Sequence, residues 1–362
     1  MIPRSTRGST LLEYVGIAAV LSVSIVAAVD AVGRELGYSY DASAVAVAST
    51  QPVVVGPPPP PDPVLVPENP PADPEVTVFR FACFDEGMVS GGTIDIRSNN
   101  YFGPGFCLYA DEGIWMTNGN EFAYGSLVAT PDYTLLETPP AGWNSNTGLL
   151  EAFQVVKLDI DVERSLLAAL NDLVDDPMGS GLAYITDPTP VAIQDKKFDA
   201  NKLRPNRLNT RLCKANESIT IPRGFTIENL AFVTNCEIRF GQDILVQNAV
   251  VASTSTAAQA FHAPHPLRVG REDMCADGGG AQLLTLGGAR FAAGLNLNGG
   301  QVVAVGELNM AAQATGMGAL LLSGDTISGT SNIAMQFCGG GMDDNLVTEW
   351  WVQILDWLEG LA

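Results

Sequence analysis

Short runs of alternating apolar and polar residues recur along most of the chain, and several copies align without gaps. ITIPRGFTIENLAFV from Ile219 lies on IRFGQDILVQNAVVA from Ile238 at an offset of 19, placing Ile221 on Phe240, Ile227 on Val246 and Asn229 on Asn248. LLTLGGARFAA from Leu283 lies on VVAVGELNMAA from Val302, again 19 apart, and LLLSGDTIS from Leu320 is an imperfect third copy. In the first half, TIDIRSNNYFGPG from Thr93 matches GIWMTNGNEFAYG from Gly113 at an offset of 20, overlaying Asn100 on Asn120, Phe102 on Phe122 and Gly105 on Gly125. Strand-length runs repeating at this period, broken by Gly and Asn, predict stacked rungs that bury their inward faces against one another. Asn at the turns can form hydrogen-bonded ladders along the stack, and Gly supplies positive φ at corners. The expected architecture is mainly β: a parallel β-solenoid, a right-handed β-helix in its expected form. An antiparallel sandwich is the other fold with regular strand spacing.

Three segments break this pattern. Val162–Pro177 (VERSLLAALNDLVDDP) sets Leu166, Leu167, Leu170 and Leu173 at helical spacing with Asp172, Asp175 and Asp176 outward, which predicts one amphipathic helix. DDNLVTEWWVQILDWLEGLA carries Trp350, Trp351 and Trp357 among acidic residues, and predicts a C-terminal amphipathic helix that caps the open end of the solenoid. Near the N-terminus, Arg4 and Arg7 precede an apolar run from Val15 to Val29 that Tyr14 and Ala31–Val32 extend. It reads as a membrane-inserting helix with a cytoplasmic N-terminus, or as a signal peptide cut among the alanines near Ala27–Ala31. Residues 51–75 hold eleven of the 23 Pro residues and form a spacer of roughly 75 Å if fully extended.

Composition narrows the function. Forty acidic against 19 basic residues give a net charge of −21, which repels a phosphate backbone and argues against a nucleic-acid partner. With 46% hydrophobic and 16% charged residues, and 37 Gly, the chain is too apolar for a disordered acidic tail. Cys83, Cys107, Cys213, Cys236, Cys275 and Cys338 make an even set without C-x-x-C spacing. Behind an export signal they read as up to three disulfides rather than as a zinc or redox site; six Cys allow fifteen connectivities, of which proximity alone favours sequential pairing.

Little else suggests chemistry, and no catalytic residue, metal or cofactor is expected. His262 and His265 have H-x-x-H spacing in a proline-flanked loop without a neighbouring Cys, which reads as a surface loop. GREDMCADGGGA (Gly270–Ala281) is Gly-rich, but Glu272, Asp273 and Asp277 oppose a phosphate, leaving a turn or a weak Ca²⁺ site. Asp159 and Asp161 share one face of an expected strand.

At the N-terminus, Gly8 followed by four residues and Glu13–Tyr14 resembles the processing site of Flp-type pilins of the tight-adherence (Tad) system. The resemblance implies cleavage by a prepilin peptidase after Gly8, Ser9 as the first mature residue, and Glu13 paired with the free amino group of a neighbouring subunit. A buried carboxylate is costly without such a partner. It covers only about the first 35 residues. Flp pilins are little more than the helix, whereas more than three hundred residues follow here, so a minor pilin or pseudopilin fits better than a bulk subunit. The stretch from Arg271 to Gly280, Thr330–Ser331–Asn332 and Phe337–Gly340 also resemble the extracytoplasmic part of Tad-associated pilus-assembly proteins.

The expected organisation is a leader (1–8), a pilin-like hydrophobic helix and tail (9–50), a Pro-rich linker (51–75), a first solenoid block (76–135), a helical insertion (136–212), a second block (213–340) and a C-terminal helix (341–362). The expected partners are other pilins, Tad assembly proteins, prepilin peptidase, the inner membrane through the N-terminal helix, and a surface glycan or protein ligand. The precursor would sit in the inner membrane and the mature protein at the cell surface. The alternatives are an exported β-helix carbohydrate-active enzyme and a membrane-anchored envelope structural protein.

Overall fold

The computed structural model describes residues 77–354, except 79–81, 85, 118, 124, 132–142, 145–150, 155–157, 196, 215–216, 272–279, 339–345 and 348–349. All lie in one compact unit, Asn69–Ala362. The segments expected as leader, hydrophobic helix and linker lie outside the described residues, as do Gly8, Ser9, Glu13 and Tyr14.

The described chain forms a parallel β-solenoid with three faces. One face is an eight-stranded parallel sheet, here the open face. Its strands stack in the order 218–221, 237–240, 261–263, 289–291, 308–310, 327–331, 93–98 and 113–116. The other two faces belong to one 18-stranded sheet, because Thr226–Thr234 and Ile244–Ser253 run unbroken from one face to the next. The lateral face includes Leu267–Gly270, Leu295–Asn298, Ala314–Met317 and Ile333–Gln336. The third, helix-covered face includes Leu208–Arg211, Ala281–Thr285, Gly300–Ala304, Leu320–Ser323, Gly87–Ser90, Cys107–Ala110 and Leu127–Thr130.

The sequence repeats are the rungs. Ile219 pairs with Ile238 and Ile221 with Phe240, Leu283 with Val302, and Thr93 with Gly113, each in parallel register. Inside, identical positions stack into columns, such as Ile219, Ile238, Phe261, Ala289, Leu308, Ile327, Ile94 and Ile114, all buried. Volumes compensate between rungs. Gly329 lies between Met310 and Ile96 in its column, and a first side-chain carbon there would come within 2.8 Å of Ile333.

Polar ladders hold two corners. Asn100 Nδ2 donates to Asn120 Oδ1 at 2.7 Å, and Asn100 Oδ1 accepts from the Ile333 amide at 3.0 Å, so one buried amide links three successive rungs. At another corner Asn229 and Asn248 sit at φ 54° and 42°, left-handed conformations that Asn tolerates better than β-branched residues, and Gly299 and Gly318 take the equivalent place in other rungs.

The order of stacking departs from the order of the sequence. The first block follows the last rung of the second: Met88 pairs with Leu321 and Ile94 with Ile327. The two blocks are thus one solenoid that begins, in space, near residue 191. Residues 136–212, expected as a helical insertion, contain a single described α-helix, α1 (Val162–Asp175). The segment also supplies rung strands, since Glu151–Gln154 pairs with Leu127–Thr130 and Leu208–Arg211 with Ala231–Thr234.

Helix α1 starts where Asp161 accepts the Arg164 amide at 2.9 Å and ends before Pro177. Its buried stripe of Val162, Leu166, Leu170 and Leu173 packs on the outward side of the helix-covered face, against a second core containing Val89, Tyr109, Leu284, Val303 and Leu322. Tyr109 donates to Asp111, and the Leu158 amide donates to the Tyr109 hydroxyl at 2.9 Å, tying the strand before α1 to the rungs. Burial, reinforced by the Asp111 carboxylate, pushes the Tyr109 phenol well above its ordinary value.

The C-terminal helix expected over 341–362 is corrected where the residues are described. Trp351–Ile354 is a strand, antiparallel to both Thr77–Val78 and Leu158–Ile160. Tandem aromatic and β-branched residues suit a pleated strand, and two waiting partners supply the ladder that a helix would have made internally. Leu346, Val347 and Trp350 enter the second core, with the Trp350 ring centroid 5.7 Å from that of Phe84. One end of the solenoid core is instead closed by Ile193, Ala200 and Leu203, with Phe198 stacked on Phe232 at 5.6 Å.

Cys83 is bonded to Cys107 and Cys213 to Cys236, and Cys338 is disulfide-bonded as well; Cys275 lies outside the described residues. The two described bonds span 24 and 23 residues. Such spans remove loop entropy from the unfolded chain, a contribution of about 3 kcal/mol each in the entropic account.

Candidate functional site

A strand exposes every second side chain, and parallel in-register stacking turns each exposed position into a column with a rise of about 4.8 Å per rung. On the open face the central outward column reads Thr220, Arg239, His262, Arg290, Asn309, Ser328, Asp95 and Trp115. No described element packs over it.

The column is divided by charge. Arg239, His262 and Arg290 occupy successive rungs, both guanidinium groups are exposed, and neither lies at salt-bridge distance from a carboxylate among the described residues. Partial burial, then the charges of Arg239 and Arg290, hold the His262 imidazole below its ordinary pKa. Stacked like charges are unfavourable, and a chain with net charge −21 has carboxylates to spare. Beyond Arg290 come two neutral, hydrogen-bonded positions before Asp95: Asn309 Nδ2 donates to Ser328 Oγ at 2.7 Å, and Ser328 Oγ donates to Glu307 at 2.5 Å. At the far end Trp115 is 50% exposed. Its ring rests against Gly113, where an added side-chain carbon would come within 2.7 Å of it.

A second place gathers carboxylates. Asp159, Asp161 and Glu163 line a recess of about 290 Å³ beside Val305 and Gly324. Asp161 is already committed to capping α1, and among the described residues no group of three His, Cys, Asp or Glu is placed to hold a metal ion.

The residues singled out from sequence scatter. His262 joins the open face, whereas His265 lies exposed in the turn after it. Glu272, Asp273 and Asp277 lie outside the described residues. No helix among the described residues is long and apolar enough to cross a membrane. Arg239, Arg290 and Trp115 were not legible as a set. The offset of 19 aligns Thr220 with Arg239 and Arg290 with Asn309, but turns of unequal length separate Arg239, His262 and Arg290.

The fold and its faces define a disulfide-bonded parallel β-solenoid with one flank sealed by a helix and, among the described residues, another left open. The chain belongs to the family of a domain of unknown function, DUF7867, which matches residues 87–339 and so spans the solenoid from Gly87 to just past Cys338. No curated protein matches the chain. Among solved structures, the DUF3494 domain of ice-binding protein 1 from Shewanella frigidimarina is similar at 14% identity and a TM-score of 0.28, over 70% of this chain and 95% of that one.

Proposed function

We propose that the protein is a minor pilin or pseudopilin-like component of a Tad (Flp-type IV) pilus system, which displays the solenoid for surface adhesion or pilus assembly. The observation that carries the display role is the open face, eight in-register strands whose outward column ends in an exposed Trp and which no described element covers. The Gly8–Glu13–Tyr14 motif, the apolar run and the Pro-rich spacer support an anchored, projecting arrangement. Disulfides between successive rungs fit an oxidising compartment outside the cytoplasm. The coil is taken as right-handed, the hand that parallel crossover connections favour.

N-terminal sequencing of protein recovered from sheared surface material and from membranes tests this reading. A mature start at Ser9 in the sheared fraction is expected, and a Met1 start confined to membranes overturns it. The recess lined by Asp159, Asp161 and Glu163 favours a second reading, an exported carbohydrate-active enzyme. Glycan cleavage by the purified chain that D159N/E163Q abolishes would establish that activity.

A further inference from the structure

The open face carries the strongest unexplained feature, two exposed guanidinium groups flanking His262, neither with a carboxylate at salt-bridge distance among the described residues, on a strongly acidic protein. We propose that the Arg239–His262–Arg290 column binds a linear, carboxylate-bearing glycan (a polyuronate) laid along the stack. This rests on the display role, since it names the ligand class that the displayed face would take.

Four observations converge. Arg239 and Arg290 are exposed and have no carboxylate at salt-bridge distance among the described residues, so their donors can meet an anion, and a guanidinium pairs with a carboxylate through two parallel hydrogen bonds. The two guanidinium groups sit two rungs apart, about 10 Å along the column. Thr220, Asn309 and Ser328 continue the column with groups that exchange hydrogen bonds with hydroxyls. Trp115, about 19 Å beyond Arg290, offers an exposed, backed ring against which the C–H face of a sugar can lie. The column is straight because the rungs are in register, so it presents these groups to an extended polymer in one line.

The test measures binding of the full chain to polygalacturonate and to its fully methyl-esterified form, which keeps the backbone and removes the charge. Poly-L-glutamate serves as a peptide polyanion. Polygalacturonate should bind, and the ester should bind at least about tenfold more weakly. R239Q/R290Q should lose about tenfold in affinity, at the strength of two partly exposed ion pairs, with an unchanged melting temperature. W115A should weaken polygalacturonate binding by a smaller factor and leave poly-L-glutamate unaffected. Equal affinity for the acid and ester forms, unchanged affinity in R239Q/R290Q, or tighter binding of poly-L-glutamate than of polygalacturonate would each overturn the proposal. Absence of polygalacturonate binding together with a Ser9 start in sheared material defeats this inference alone. Binding by a chain that is never processed defeats the display reading and leaves the site standing.

Discussion

The open face and the helix-covered face are built from the same rungs, yet their outward sides differ completely. On the covered face one outward column runs Val233, Ala252, Leu284, Val303, Leu322, Val89, Tyr109 and Ala129. Most of these side chains are fully buried beneath α1 and the terminal strands. On the open face the corresponding column is Thr, Arg, His, Arg, Asn, Ser, Asp and Trp. A parallel strand buried on both sides is written as a continuous apolar run, and one buried on a single side as an alternation. Leu320–Ser323 is buried throughout, whereas Glu237–Phe240 alternates between outward and buried positions. A solenoid can therefore assign stability to one flank and recognition to another without changing its core.

Removing the cover tests this division most severely. Leu170→Ala, which opens a cavity between α1 and the covered face, should cost about 2–5 kcal/mol and lower the urea midpoint sharply. Ser328→Ala on the open face should stay within about 0.5 kcal/mol. Equal effects at the two positions would show that the faces do not divide the work.

Breaking a rung-to-rung staple comes next. Cys213→Ser with Cys236→Ser should reduce stability by about 3 kcal/mol, read as a shift in thermal midpoint that vanishes when both proteins are compared under reduction. Asn100→Ala follows. It leaves the buried Ile333 amide without its partner and takes one of the donors from Asn120 Oδ1, and should cost about 1–3 kcal/mol. Asn229→Val places a β-branched residue at φ 54° and should cost about 1–2 kcal/mol, whereas Asn229→Gly should be close to neutral.

The smallest effect concerns pH on the open face. The folded pKa of His262 lies below its ordinary value of 6.5, so the unfolded chain takes up the proton first as pH falls. Stability from this group is intact above about 6.5 and declines as pH falls through the folded value. The charged groups facing it are Arg239 and Arg290 on the flanking strands, with Glu237 beside Arg239. In His262→Gln the decline of melting temperature on acidification should be shallower than in the unchanged chain, and an identical slope would remove His262 as its source.

Much of the rung structure was legible because a parallel stack forces equivalent residues into register. Ile219 over Ile238, Asn100 over Asn120 and Leu283 over Val302 are sequence repeats and structural neighbours at once. The helix was legible from the spacing of Leu166, Leu170 and Leu173, and the termination of α1 from Pro177. The C-terminal segment misled because Trp spacing fits either an amphipathic helix or a strand, and only the pairing of Val352 with Thr77 and Ile160 decides between them. The candidate site was the least legible part. Arg239, His262 and Arg290 become neighbours only after intervening turns of different length are folded away.

By itself the sequence determined the rung, since period, inward alternation and corner residues are local properties that each copy carries in its own composition. Tertiary structure alone decided that the first block stacks behind the last rung of the second, with Ile94 on Ile327. It also decided which flank α1 would seal and which column would be left to solvent. The physical reason is that every rung offers nearly the same edge to the next. The order of stacking therefore follows from which exposed edges and apolar flanks remain to be buried once the whole chain is present.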